Sequence, residues 1–266
     1  MNQKQKFFLI SNTAKFFNAF MLNHINELNK KYNVFILCLD AKTLKKKVPK
    51  NVSLLGLKFK RNIDLLSDVI VFFEMLYLFL KIKPKISLSF TPKIGLMVSI
   101  VSFITRTSKR IHWFTGQFWI HKKGFIKFFC KLADKLIFFL NHKVLIDSHS
   151  QKNFLIKENI ISNKNSFVLH KGSVGGVDVK KFKSNKKIRL DLRKKYSISK
   201  KTFIFLYLGR IKKEKGILEL IEAYNQIKKN HKILLVIVGP IEEKNLISQI
   251  KQSKKILYFN YTDHPE

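Results

Sequence analysis

The sequence predicts an α/β fold of doubly wound parallel sheets, arranged as two domains of which the second is incomplete. Three observations carry that reading. Short apolar runs alternate with helical patterns along nearly the whole chain, as βαβ units do. The series is broken once, by the lysine-rich stretch "VKKFKSNKKIRLDLRKKYSISKK" after residue 178, and restarts at "TFIFLYLG". After the restart only three strand patterns and two helix patterns follow, roughly half of a doubly wound domain, which would leave an exposed sheet edge and uncovered apolar faces.

In order, the first series predicts strands at "KFFLIS", "NVFILCLD", "VSLLGL", "ISLSF", "RIHWFT", "KVLIDS" and "SFVLH". Helical spacing predicts helices over 18–31, 64–82, 94–105, 123–139 and 149–158. The second series predicts strands over 202–208, 232–239 and 256–261, with helices over 216–229 and 242–253. This organisation divides the chain into a first Rossmann-like domain over 1–180, a basic linker over 181–201 and a second, shorter domain over 202–266.

A chain of 266 residues with 46% hydrophobic content buries a core and is not disordered. Its 52 Lys and Arg against 17 Asp and Glu give a net charge of +35. Such an excess calls for an anionic partner, either a membrane surface or a phosphorylated substrate, or reflects a genome whose A/T-rich codons favour Lys, Asn, Ile and Phe. A nucleic-acid reading rests on charge alone, because no nucleic-acid-binding motif is present, and none is predicted. Cys38 and Cys130 lie in apolar runs and predict buried thiols, not a disulfide framework or a metal site. The start "MNQKQKFFLISNT" has an apolar run of four residues and no small-residue cleavage site, so a first strand is expected there and not a signal peptide. The segments "DVIVFFEMLYLFL" and "IGLMVSIVSFI" are too short or too interrupted to span a bilayer. A cytoplasmic chain is expected, peripheral on the inner membrane face if the charge meets lipid.

One short stretch carries most of the chemistry. "YLGRIKKEKGILELIEAY" gathers Arg210, Lys212, Lys213 and Lys215 between a strand end and a helix start. A helix N-terminus already supplies positive potential, so cations stacked there suit an anion. Arg210 offers a forked pair of donors and Lys215 a point charge, a set that fits a diphosphate. The competing reading is a solvated basic loop in a lysine-rich chain.

"YLGRIKKEKGILELIEAYNQI" followed by "LLVIVGP" resembles the donor-domain opening of family 4 glycosyltransferases, retaining enzymes of GT-B architecture that use nucleotide sugars. The resemblance implies that Gly209, Arg210, Lys215 and Gly216 contact the donor's diphosphate. Three further segments resemble the family in the same order. They are "SFTPKIGLMVSIVSFITRTSKRIHWFTGQFW", the Asp/Ser/Ser/Gln stretch within "ADKLIFFLNHKVLIDSHSQKNFLIKENI", and the glycine-rich "HKGSVGGVDVKKF". Residues 1–180 then correspond to the acceptor-side domain and 202–266 to the donor-binding domain of a GT-B-like fold. In this reading Thr115, Gly116 and Gln117 line the cleft at a strand end, as do Gly172, Ser173, Gly175, Gly176 and Asp178 of the glycine-rich loop. That loop is not a dinucleotide fingerprint, since its spacing is not G-x-G-x-x-G. Its glycines allow positive φ and close approach, with a plain turn as the alternative.

Thr115 stands where the family often has a histidine, so no catalytic residue is assigned. The histidines lack metal-ligand spacing, no Asp-x-Asp triplet occurs, and neither a metal nor a cofactor is expected beyond the nucleotide-diphosphate sugar itself as substrate. Glu242 and Glu243 are read as residues of a solvated helix. "GFIKFFCKLADKLIFFL" carries Phe125, Phe128, Phe129, Leu132, Leu136 and Phe139 at helical spacing. A stripe buried against the sheet is expected, with an interfacial helix on an anionic membrane as the alternative. Family members continue past "DHPE" into a segment with two glutamates that hold the donor, whereas this sequence ends at Glu266, so donor recognition is expected to be incomplete. The resemblance implies hexosyl or N-acetylhexosaminyl transfer to a glycan or lipid-linked acceptor in bacterial surface polysaccharide synthesis, capsule or lipopolysaccharide. The alternative is an inactive truncated fragment that only binds a membrane or a partner.

Overall fold

A computed structural model describes residues 4–58, 64–227, 232–243, 245–246 and 256–262. The chain forms two compact units, Met1–Gly176 and Val177–Glu266. In the first, strands β1 (Lys6–Thr13), β2 (Asn33–Leu39), β3 (Ser53–Gly56), β4 (Ile86–Phe90), β5 (Lys109–Phe114), β6 (Lys143–Ile146) and β7 (Ser166–Val168) make one parallel sheet. Its order is β3-β2-β1-β4-β5-β6-β7, so the winding reverses between β1 and β4. In open sheets of this type ligands bind outside the carboxyl ends of the strands at that reversal.

The helices cover both faces. α1 (Ala14–Phe16) passes through a π-helical turn (Phe17–Met21) into α2 (Leu22–Lys31), and Phe17, Met21 and Ile25 pack with Phe7, Leu9 and Ile36 on one face. On the opposite face α3 (Leu65–Ile82) and α4 (Pro92–Ile104) bury Val71, Met75, Phe79, Ile94 and Val98 against Phe8, Ile10 and Leu37. α5 (Gly124–Leu140) packs beside α4, and α6 (His149–Lys157) follows β6. Consecutive β1 residues thus point to opposite cores, which is why the strand reads as a continuous apolar run instead of an alternating one. Gly95 of α4 lies on the ring of the buried His112, and a Cβ there would come within 2.3 Å of the imidazole. Burial holds His112 neutral, with its pKa down at about 3, and its ring is paired with Ser89 Oγ at 2.8 Å.

The expected burial of the α5 stripe is overturned. Phe125, Phe128, Phe129 and Phe139 are exposed at 84%, 62%, 62% and 78%. The helix instead turns Ile137, Leu140 and Asp134 inward. Trp119 donates its indole N–H to Asp134 Oδ2 at 2.7 Å, and Lys127 and Lys131 lie over the same indole ring. The face turned inward is thus the one that carries Ile137, Leu140 and the buried Asp134–Trp119 pair, not the larger aromatic face. Cys38 is buried and its thiol is pushed up to about 12, whereas Cys130 on α5 is only half-buried.

Burial raises the Asp134 carboxyl to about 6 from an ordinary 3.8. Between those values the folded chain holds a proton that the unfolded chain has lost, so stability falls as pH rises from about 4 to about 6. Asp134→Asn, which keeps an acceptor for Trp119, is expected to remove this slope. Chemical unfolding should find the variant more stable than the parent by on the order of 2 kcal/mol at pH 7.5, with the difference vanishing towards pH 4.

In the second unit β8 (Phe203–Leu208), β9 (Ile233–Val238) and β10 (Ile256–Phe259) form a parallel sheet of order β10-β9-β8. α8 (Ile217–Ile227) covers one face through Ile217, Ile221 and Tyr224. Phe203, Leu206 and Leu208 of the edge strand β8 are exposed. Within 181–201 lies α7 (Lys186–Lys195), whose Arg193 is buried and donates to the carbonyls of Ser199 and Thr202 at 2.5 and 2.9 Å. Most of the helix expected over 242–253 lies outside the described residues.

Candidate functional site

Two groups of residues gather at strand carboxyl ends, one in each unit. In the second unit β8 ends at Gly209, whose N–H donates to Val238 O at 2.9 Å, and β9 ends at Gly239. The two ends approach so closely that a Cβ on Gly239 would stand 1.9 Å from Gly209 O, and Gly239 has φ +146. Gly239 is therefore restricted twice over, by the backbone it faces and by its own conformation.

Arg210 follows directly, with its carbonyl accepting from Tyr207 Oη at 2.9 Å. Its guanidinium meets both carboxylate oxygens of Glu242 at 3.1 and 3.2 Å. Glu242 is thus not simply a residue of a solvated helix face: a bend after β9 brings it to Arg210, and the half-exposed pair keeps the guanidinium at the strand end. A single 3₁₀ turn, Lys213–Lys215, leads to Gly216 at φ +71, which lets the chain enter α8. Lys215 is exposed and has no side-chain partner among the described residues. The first-turn N–H groups of α8 have no helical acceptors. Gly209, Arg210, Lys215 and Gly216 thus lie on one strand-to-helix passage that offers a fork, a point charge and free amides, the donor set an oxyanion needs.

In the first unit the corresponding edge is more enclosed. Asn12 is the penultimate residue of β1 and Thr91 directly follows β4, on either side of the winding reversal, and Thr91 Oγ1 donates to Asn12 Oδ1 at 2.8 Å. Thr91 sits at φ +66, ψ 143, a conformation costly for a β-branched residue. Thr115 and Gly116 follow β5, with Gly116 at φ +146, exposed and with open space where a Cβ would stand. Gln117 is only 8% exposed; its Oε1 accepts from Gln151 Nε2 at 3.0 Å, and its own Nε2 has no partner among the described residues. A buried amide donor left open is costly unless something is bound to it.

Asp147, at the end of β6, organises the glycine-rich loop. Its Oδ1 accepts from Trp113 Nε1 at 2.9 Å, its carboxylate accepts from the Val174 N–H, and its carbonyl accepts from Ser173 N at 2.6 Å. Burial pushes its carboxyl up. Gly172, at φ +95, would bring a Cβ within 2.2 Å of Asp147 O, and Gly175 lies against Phe20. His24 is paired with the Val174 carbonyl at 2.8 Å. Gly172, Ser173, Gly175 and Gly176 therefore sit over the same sheet edge as Thr115 to Gln117, linked to it through Asp147, Trp113 and Gln151. Asp178 falls in the second unit, where its Oδ1 accepts from the N–H groups of Lys180 and Lys181 and closes a local turn.

Asn12, Thr91 and Asp147 carry no assigned role in the sequence reading. For Asp147 and Thr91 a signal existed, since both stand in segments that resemble family motifs; Asn12 had none. Among the described residues no three His, Cys, Asp or Glu side chains gather as metal ligands.

Comparison with known proteins bears on the family and the fold. Residues 188–266 match the family described as glycosyl transferases group 1. Over 271 residues the chain is 31% identical to the capsular polysaccharide biosynthesis glycosyltransferase CapM of Staphylococcus aureus, covering 99% of this chain and 70% of that protein. Among solved structures, Anabaena HepE in complex with UDP superposes with a TM-score of 0.71 at 14% identity, over 98% of this chain and 70% of that one. The UDP-GlcNAc 2-epimerase of Neisseria meningitidis bound to UDP-GlcNAc gives 0.63 at 15%, over 97% and 73%. The two structural likenesses fix a GT-B-like α/β fold, which transferases and epimerases share. The sequence match decides between them: the chain belongs to the group 1 glycosyltransferases, enzymes that transfer sugars.

Proposed function

We propose that the chain is a family 4, retaining glycosyltransferase that moves a hexosyl or N-acetylhexosaminyl group from a nucleotide-diphosphate sugar to a glycan or lipid-linked acceptor. The observation that carries the proposal is the Gly209–Arg210 strand end with Lys215 and Gly216 ahead of α8. UDP bound to HepE, which shares the fold, supports a nucleoside-diphosphate donor, and the likeness to CapM supports a role in surface polysaccharide synthesis. No metal or further cofactor is invoked.

In this reading Arg210 leaves Glu242 for the diphosphate, and Lys215 closes on the same charge. Both stabilise the leaving group as the bond from sugar C1 to the β-phosphate oxygen breaks. The acceptor oxygen bonds to C1 on the same face, and its proton passes to the departing diphosphate. The open Nε2 of Gln117 and the hydroxyl of Thr115 are donors of the kind an acceptor hydroxyl would meet. Gly116 and the loop of Gly172, Ser173, Gly175 and Gly176 give the backbone room to approach it.

Incubation with UDP-hexoses, UDP-N-acetylhexosamines and a polyprenyl-diphosphate-linked sugar tests this directly. NMR of the product should show the donor's anomeric configuration retained; an inverted product, or none with any donor, contradicts the proposal.

A further inference from the structure

The open amide of Gln117 owes its polarity to groups that cannot change role. β5 and β6 pair in register as far as Phe114 and Ile146, and just beyond that pair a side chain bridges the two strand ends. Gln151 Oε1 accepts from the Asp147 N–H at 3.2 Å and its Nε2 donates to the Phe114 carbonyl at 3.4 Å, as a further peptide rung would. A backbone N–H only donates and a carbonyl only accepts, so the Gln151 carboxamide has one permitted orientation. Its Nε2 therefore also donates to Gln117, at 3.0 Å, and the Gln117 atom that receives it is Oε1. What is left for the open side of Gln117 is Nε2, a pure donor with no partner among the described residues.

The residue type at 151 supports the need for that donor. Ser148 caps α6, its hydroxyl accepting from Gln151 N at 3.1 Å, and Gln151 completes the S-x-x-Q pattern of a capping box. Glu serves the same pattern, is favoured in a first helical turn by the macrodipole, and could accept from the Asp147 N–H equally well. It could not donate to Phe114 O or to Gln117 Oε1. Gln gives up the favourable charge and keeps the donor that both contacts use. Gly116, directly before Gln117, is exposed with open space where a Cβ would stand, which leaves the approach to this strand end clear.

We propose that Gln151 is a positioning residue that fixes the open end of Gln117 as a hydrogen-bond donor, and that the acceptor sugar meets this donor with an oxygen other than the attacking one. The attacking hydroxyl gives its proton to the departing diphosphate and needs its lone pair for sugar C1, so a donor aimed at that lone pair would oppose the bond being formed. A neighbouring hydroxyl, ring oxygen or acetamido carbonyl keeps its lone pairs throughout. Such an oxygen meets Gln117 in the ground state and the transition state alike. The contact therefore sets acceptor affinity and selectivity, not the rate of the chemical step. The acceptor contact rests on the transferase reading above; the fixed polarity of the two amides does not.

Two variants of the full chain reverse the open atom by different routes. Gln151→Glu keeps an acceptor for the Asp147 N–H but presents an oxygen to Gln117, whose carboxamide should rotate, donate to the new carboxylate and leave its own Oε1 open. Gln117→Glu keeps the oxygen that receives Gln151 Nε2 and replaces only the open Nε2. In NMR spectra of isotope-labelled chain, the Gln117 side-chain amide signal, assigned by its loss in Gln117→Glu, should shift downfield in Gln151→Glu. An unchanged signal overturns the fixed polarity, and this arm needs no turnover. With the UDP-sugar and polyprenyl-diphosphate-linked sugar that the parent uses, both variants should raise the acceptor KM at least about tenfold while kcat and the donor KM stay within about twofold. Thermal unfolding and UDP titration separate this effect from loss of the fold or of the donor site. An unchanged acceptor KM in folded variants overturns the acceptor contact. So does a fall in kcat without a rise in KM, which would place Gln117 on the attacking oxygen. A parent chain that turns over no acceptor contradicts the transferase reading and with it the acceptor contact, while the amide signal still decides the fixed polarity.

Discussion

Arg210→Ala is expected to weaken UDP binding about 10- to 100-fold, the loss of one or two charge-assisted hydrogen bonds to a phosphate. The native Arg210 contact is with Glu242, whose two carboxylate oxygens both accept from the single Nη1 at 3.1 and 3.2 Å, so an anion that takes the whole fork competes with that carboxylate. This gives the prediction a second arm. Glu242→Ala should leave UDP affinity unchanged or raise it a few-fold, because it removes the competitor and keeps the donor. Calorimetric titration of both variants checks the pair. If Glu242→Ala were as damaging as Arg210→Ala, the pair would be the structural support of the strand end and the guanidinium would not be a phosphate ligand. Arg210→Lys is expected to recover only part of the loss, since a point charge cannot reproduce the fork.

Gly239→Ala is expected to cost the second unit roughly 3 kcal/mol or more, and with it UDP binding. The added Cβ would lie 1.9 Å from Gly209 O, a backbone atom that cannot swing aside, and the residue's φ of +146 disfavours any side chain. Relief requires the β8 and β9 ends to separate, which moves Arg210. Urea unfolding followed by far-ultraviolet circular dichroism measures the stability loss. Gly216→Ala provides the contrast, because only Glu219 Oε2 lies near its Cβ, at 3.9 Å, and the strain there comes from φ +71 alone. It should cost about 1 kcal/mol.

The parts of this architecture that depend on local pattern were legible in the sequence. Every strand of the first sheet falls within a residue or two of the apolar run that predicted it, because strands flanked by helices on both faces are apolar throughout. The Gly-Arg strand end was legible because the strand end, the cations and the glycine ahead of the helix all fall between Gly209 and Gly216. What escaped depends on contacts between distant residues. The α5 stripe was visible, but a stripe fixes a face and not its direction; the opposite face, with Ile137, Leu140 and the Trp119–Asp134 hydrogen bond, is the one that packs inward. Glu242 lies 32 residues from Arg210 and reaches it only through the β8–β9 register, in which Leu208 stands opposite Val238. Thr91 is paired with a residue 79 positions away and holds a positive φ that nothing in a Thr-Pro dipeptide announces. The same holds for Gln117, whose oxygen accepts from Gln151, 34 positions away, while its buried Nε2 has no partner among the described residues.

The central claim is that the β8 strand end recognises a diphosphate, and titrating the parent chain with UDP, UMP and uridine in one calorimetric series tests it most directly. The account predicts that affinity falls at least about tenfold from UDP to UMP and again to uridine, with the UDP term lost in Arg210→Ala. Equal affinity for uridine and UDP, or a folded chain that binds none of the three, would contradict it.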